Sequence, residues 1–385
     1  MDSLKPFVSS VKHISLIAGL CLASSVSYAA GGGGSGSGDV VQDACDASTM
    51  LPVSENPAER GPWAVGSRTV TISGLTTEVF YPAAPGSDAG LPPKEWDIRQ
   101  FLPADQAEKL PDEVAFKSCE TCVADLPIDE ANGPYPVLIY VHGTAATRIY
   151  SLPFFEHWAS RGFIVLSADN PGIYQKEALE SALNIISADQ KGDTRDLLRR
   201  VYTPSYFDGS RFLRGHVDEA RIGLSGHSAG GFAIRDLGSD AGVRVIMPMA
   251  SGGTEAGSEL ESTLVIGGLE DQTATFDITS GAYEDSPAKK RLVGIENMGH
   301  VGFVDICRGL ELRQEYGLEY SDAILDLLAD GCGEGYVEPE QGWEMVNYIS
   351  TAVFEETLKC SAESTDAINR FTDQYPGQVI MEEEL

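Results

Sequence analysis

The feature that most constrains this chain is a series of short, unbroken apolar runs separated by stretches of helical spacing. "PVLIYVHG" (136–143), "FIVLSADN" (163–170), "RIGLSG" (221–226), "VRVIMPMA" (243–250), "STLVIGG" (262–268) and "KRLVGIEN" (290–297) lack the polar alternation of a half-exposed strand. Strands of that kind are buried on both faces, as in parallel sheets. Between and after them come "LPFFEHWASRG" (152–162), a helical stretch over 176–201, a short helix from Ala229, and helical segments at about 302–313, 321–329 and 340–359. Strands alternating with helices predict an α/β fold, a mostly parallel central sheet flanked by helices with right-handed crossovers. Functional groups in such sheets collect at the carboxyl ends of the strands. With 385 residues, 42% of them hydrophobic, the chain can build one sizeable core. "RTVTISGLTTEVFYPA" (68–83) reads as a hairpin around Gly74. Residues 84–136 read as an irregular insertion, 46–362 as the single folded domain, and 363–385 as a C-terminal acidic tail.

The amino terminus reads differently. Lys5 and Lys12 precede the apolar run "ISLIAGLCLASSV" (14–26), and "SYA" (27–29) supplies small residues before a cleavage point after Ala29. That is the pattern of a secretory signal peptide, too short to span a bilayer comfortably. "GGGGSGSG" (31–38) makes 30–45 a flexible linker. No other stretch is long and apolar enough for a membrane span, so a secreted or periplasmic protein without stable membrane association is expected. Six cysteines remain after the leader: Cys45, Cys119, Cys122, Cys307, Cys332 and Cys360. An even number in an exported chain reads as disulfides, with the pairing open. "SCETC" has neither a second CxxC nor a neighbouring histidine, which favours a local Cys119–Cys122 bridge over a metal site. No cofactor or metal is called for. The formal charge of −31 disfavours nucleic acid, anionic lipid and anionic substrates, and favours solubility. It leaves the oligomeric state open.

"GHSAG" (226–230) lies between a predicted strand and a predicted helix, the context that the G-x-S-x-G motif requires. Side chains at Gly226 and Gly230 would collide at so sharp a turn, and Ser228 is pushed out at the head of the helix. A serine hydroxyl attacks only when a base removes its proton and an acid orients that base. In this arrangement the order along the chain is Ser, acid, His. The one histidine after Ser228 is His300, in "ENMGHVGF". After "STLVIGG", "LEDQT" offers Glu270 and Asp271, and Asp271 is preferred with Glu270 as a surface charge. An oxyanion hole would use the amides of Ala229 and of Thr144, the latter in "VHGTAAT", where Gly143 allows the turn. His227 reads as a packing residue and His142 as structural.

Taken together, "YPVLIYVHGTAA", "WASRGFIVLSADNPG", "VDEARIGLSGHSAGG", "STLVIGGLEDQTA" and "GHVGFVDIC" resemble the α/β-hydrolase superfamily. They are most similar to its secreted serine esterases, in the neighbourhood of platelet-activating-factor acetylhydrolases, dienelactone hydrolases and cutinases. The resemblance spans about residues 63–310 and implies catalytic roles for Ser228, Asp271 and His300, with Thr144 and Ala229 as oxyanion donors. Dienelactone hydrolases carry a cysteine nucleophile where this chain has Ser228. Polyester hydrolases usually place Met after the serine and Trp after the next strand, where this chain has Ala229 and then Met249 and Ala250. The expected activity is hydrolysis of small neutral or apolar carboxylic esters, with a polyester hydrolase or a non-catalytic binding module as alternatives.

Overall fold

The computed structural model describes residues 50–181 and 188–385. The leader, the Gly/Ser linker and Cys45 lie outside the described residues. Twelve strands are described: β1 (Ala64–Ile72), β2 (Leu75–Ala83), β3 (Glu95–Asp97), β4 (Phe116–Ser118), β5 (Val123–Ala124), β6 (Tyr135–Val141), β7 (Ile164–Ala168), β8 (Val217–His227), β9 (Val243–Met249), β10 (Ser262–Gly268), β11 (Lys290–Ile295) and β12 (Val379–Glu384). Ten of them form one sheet in the order β12-β11-β10-β9-β8-β6-β7-β2-β1-β5. The six apolar runs of the sequence are its parallel centre, β7-β6-β8-β9-β10-β11. The expected hairpin is β1–β2, paired through nine residues of each strand with Ser73 and Gly74 at the turn.

Each central strand divides its side chains between two cores. In β6, Leu138 and Tyr140 join Phe155, Trp158 and Ile349 on one face, while Val137, Ile139 and Val141 join Leu197, Leu198 and Ile234 on the other. The first face is covered by α1 (Leu152–Ser160) and the long α7 (Pro339–Leu358); the second by α2 (Gln190–Tyr202) and α3 (Ala229–Ile234). The second face also carries α4 (Phe276–Asp285), whose Tyr283 packs on Val265 and Leu292. After β11 come α5 (Arg308–Tyr316) and α6 (Asp322–Ala329).

Three expectations are corrected. Residues 363–385 are not a tail. Most of α8 (Ala362–Asn369), a turn of helix at Phe371–Gln374 and β12 belong to this segment, and β12 pairs antiparallel with β11 through six residues. Phe371, fully buried, packs tilted against Tyr348 of α7 and Tyr375 meets the same ring edge-on, which anchors the segment. The helix expected over 302–313 is broken. A 3-10 turn at His300–Phe303 is followed by an extended stretch, because the Asp305 amide is drawn to the carbonyl of Tyr150 at 2.6 Å. The stretch over 176–201 is likewise two helices, Gln175–Glu180 and α2.

The 84–136 insertion is irregular but firmly held. β3 and β4 form a small two-stranded sheet, and β5 extends the main sheet beside β1. The fully buried Glu78 carboxylate accepts from Trp96 Nε1 at 3.0 Å and Lys94 Nζ at 2.6 Å. Glu156, on α1, accepts the backbone N–H groups of Glu120, Thr121 and Cys122 at 2.7–3.1 Å. A carboxylate that collects several amide donors in this way substitutes for the water it has lost.

Candidate active site

β8 ends at His227 and α3 begins at Ala229, leaving Ser228 alone between them with φ 52° and ψ −120°. Such a conformation costs a non-glycine residue about 1–3 kcal/mol and persists only where the surroundings enforce it. They do so here by close approach. A Cβ on Gly226 would lie 2.5 Å from the backbone of Gly230, and one on Gly230 would lie 2.0 Å from the carbonyl oxygen of Val141. Gly143 serves the same purpose, since a Cβ there would meet Ser228 Cβ at 3.0 Å.

The structure brings together three side chains that the sequence keeps far apart. Ser228 Oγ is 2.9 Å from His300 Nε2, and His300 Nδ1 is 2.9 Å from Asp271 Oδ2. A carboxylate only accepts, so Nδ1 carries the proton and Nε2 is free to take one from the serine. The other oxygen of Asp271 accepts the amides of Thr273 (2.8 Å) and Ala274 (2.7 Å), which fixes the carboxylate's orientation. Glu270 is exposed, and among the described residues no hydrogen bond joins its side chain to His300.

The expected oxyanion donors flank the serine. Ala229 is the first residue of α3, where an amide has no intrahelical acceptor. The Thr144 amide has no acceptor among the described residues. Its loop is fixed on both sides: Ala145, at φ 57°, donates its amide to the carbonyl of Ile173 at 2.9 Å, and the Arg148 amide donates to Asp169 at 2.9 Å. His142 lies beneath the loop, donating from Nδ1 to the carbonyl of Gly143 (2.7 Å) and accepting the Asn170 amide at Nε2 (3.1 Å). Burial lowers its pKa, which suits a neutral ring with one donor and one acceptor.

Two residues do more than the sequence revealed. His227 packs against the His300 ring, as expected of a packing residue, with centroids 4.9 Å apart, and also donates from Nε2 to the His300 carbonyl at 2.9 Å. Burial, followed by the proximity of His300, pushes its pKa down to about 3. Asp330, 5% exposed, was not anticipated. One of its carboxylate oxygens accepts the His300 amide (3.2 Å), while the other accepts the Gln272 amide (3.0 Å) and the Thr273 hydroxyl (2.7 Å). Its carbonyl accepts the Val301 amide at 2.8 Å. Asp330 thus joins the loop of the acid to the loop of the base. An aspartate in a chain with 58 acidic residues gives no local sign of such a role.

Two disulfides are described, Cys119–Cys122 and Cys307–Cys332, and Cys360 is also disulfide-bonded. The second bridge ties the segment after His300 to the one after Asp330. Among the described residues, Cys119, Cys122 and Glu156 are the one group with metal-ligand spacing. Their thiols are joined to each other and the carboxylate is occupied by amides, so this group does not fit a metal.

No protein-family model matches the chain, and no curated protein is significantly similar to it. Among solved structures it is similar to a ferulic acid esterase from Streptomyces cinnamoneus, with a TM-score of 0.57 and 20% sequence identity. The match covers 79% of this chain and 92% of that one. It supports the α/β fold, a large central sheet flanked by helices.

Proposed function

We propose that this protein is a secreted serine hydrolase of the α/β-hydrolase superfamily that cleaves carboxylic esters of small neutral or apolar acyl groups. The observation that carries this reading is the unbroken chain from Ser228 Oγ through His300 to Asp271, starting at a strained strand-to-helix elbow. In the first half-reaction, Ser228 Oγ attacks the ester carbonyl while His300 Nε2 takes its proton. The carbonyl oxygen becomes an oxyanion facing the amides of Thr144 and Ala229. Collapse expels the alcohol, which leaves with the proton from Nε2, and the acyl group stays on Ser228. Water, deprotonated by the same nitrogen, then releases the acid.

The likeness to a ferulic acid esterase supports ester hydrolysis. The sequence leader, together with the two described disulfides, supports export. The acidic surface disfavours anionic substrates. Met249 and Ala250 are fully buried, so no stacking ring stands where polyester hydrolases usually carry Trp. A fluorophosphonate probe tests the reading: the protein should be labelled on Ser228, and Ser228→Ala should not be labelled. A fold that only binds ligands would remain unlabelled.

A further inference from the structure

An apolar cavity of about 70 Å³ lies between the 84–136 insertion and the helices that follow His300. Its walls include Leu102 and Leu110 of the insertion, Ala145 of the oxyanion loop, and Leu312, Leu318 and Leu328 of the later segments. They belong to two adjoining clusters, one holding the insertion against α5 and the other holding Ala145 against α6. Its wall draws on the two chain segments that carry Thr144 and His300, although neither residue lines it. Ala145 directly follows Thr144, and Asp305 and Ile306, also on the wall, follow the 3-10 turn that starts at His300.

The polar groups on the wall are largely engaged with one another. Lys117 pairs with Asp305, the Tyr150 hydroxyl donates to Gln175, and Arg308 donates to the carbonyls of Val114 and Phe116. Tyr320 adds one hydroxyl. A carboxylate, sugar or phosphate entering such a space would lose its water without adequate replacement. An aliphatic chain has no bound water to forfeit and gains from the burial of each methylene.

We infer that this cavity, built by the chain's own insertion, is the acyl-chain site of the esterase and measures substrates by aliphatic length. The inference rests on the function proposed above. A single water needs about 10–15 Å³, so the space suits roughly five to seven carbon-sized groups. Hexanoyl esters should therefore be preferred to acetyl esters, and to the esters of bulky phenolic acids.

The test measures kcat/KM for p-nitrophenyl acetate, hexanoate and dodecanoate and for methyl ferulate, in the full-length protein and two variants. Leu327, half-buried on the cavity wall, can be enlarged with little disturbance of the core. Leu327→Trp should lower the hexanoate-to-acetate ratio at least tenfold. Leu312→Ala should shift the preference towards dodecanoate by threefold or more. If neither variant moves the ratio, or if methyl ferulate is the best substrate and Leu327→Trp abolishes its turnover, the aliphatic assignment is overturned while the esterase stands. If the unaltered protein hydrolyses none of the esters and resists fluorophosphonate, the esterase reading falls, and this one with it.

Discussion

The loops that carry Asp271 and His300 and the apolar cavity under the insertion are built on opposite principles. Around His300, position is set by directed hydrogen bonds: Asp271 to Nδ1, Asp330 to the amide, and His227 to the carbonyl. Around the cavity, position is set by aliphatic packing without direction. The first arrangement tolerates almost no change of geometry, because a displacement of about 1 Å can cost a hundredfold in rate. The second tolerates changes of shape and charges for them in stability and selectivity. On the function proposed above, chemistry and specificity can therefore vary separately in this molecule.

Substitutions can break or sharpen that contrast. The largest effect is expected from Ser228→Ala, which should lower kcat on any ester by about 10⁴–10⁶ while far-ultraviolet circular dichroism stays unchanged. A variant retaining half its activity would remove Ser228 as nucleophile. Asp271→Asn should cost about 10⁴ in kcat through misorientation of His300, and Glu270→Gln should be close to neutral. Reversed effects in steady-state kinetics would assign the acid to Glu270.

Asp330→Asn can keep an acceptor oxygen for the His300 amide, but its NH2 group then faces the Gln272 amide and the Thr273 hydroxyl and accepts from neither. It should lower kcat about 10–100-fold with little change in KM. Loss of thermal stability with kcat intact would make Asp330 a structural residue only. On the apolar side, Leu312→Ala should lower unfolding free energy by about 2–4 kcal/mol, measured by urea titration, with a much smaller effect on kcat than Asp330→Asn. Similar losses of kcat in both variants would erase the distinction between the two regions.

The smallest effect concerns protons. His227 titrates near 3 when folded, against an ordinary value of 6.5. Between those values the unfolded chain binds the extra proton. The contribution of this neutral ring is therefore complete above about pH 6.5 and is lost as pH falls towards 3. Between pH 5.5 and 4.5 it should account for about 1.4 kcal/mol of lost stability. His227→Gln, whose amide can still donate to the His300 carbonyl, should lose correspondingly less over that interval. Equal losses of unfolding free energy in the unaltered protein and in His227→Gln, from denaturant titrations at the two pH values, would show that the ring is protonated in the fold.

The same contrast explains what could be read in the sequence. The central strands are legible because burial on both faces leaves no charged residue in β6 or β10, and the elbow is legible because glycines surround Ser228. His300 follows from chain order. Asp330 is invisible because most of its partners are backbone amides, which any sequence supplies. The cavity is invisible because Leu102, Ala145 and Leu328 share no local pattern and meet only through the tertiary fold. β12 was missed for a third reason. As an edge strand of "VIMEEE" it buries little more than Val379, so its sequence reads as charge instead of strand.

That last strand has a consequence for how the molecule is made. β12 follows its partner β11 only after α5 to α8 have been synthesised, so the flank of β11 stays open throughout that interval. An unpaired strand edge is a template for foreign chains. When β12 arrives it covers the edge and presents Glu382, Glu383 and Glu384 in its place, a margin that repels a further strand. The acidic stretch is a stopper on the sheet, and the interval before it is fitted, on the order of ten seconds of synthesis, is when the edge of β11 is open to other copies of the chain.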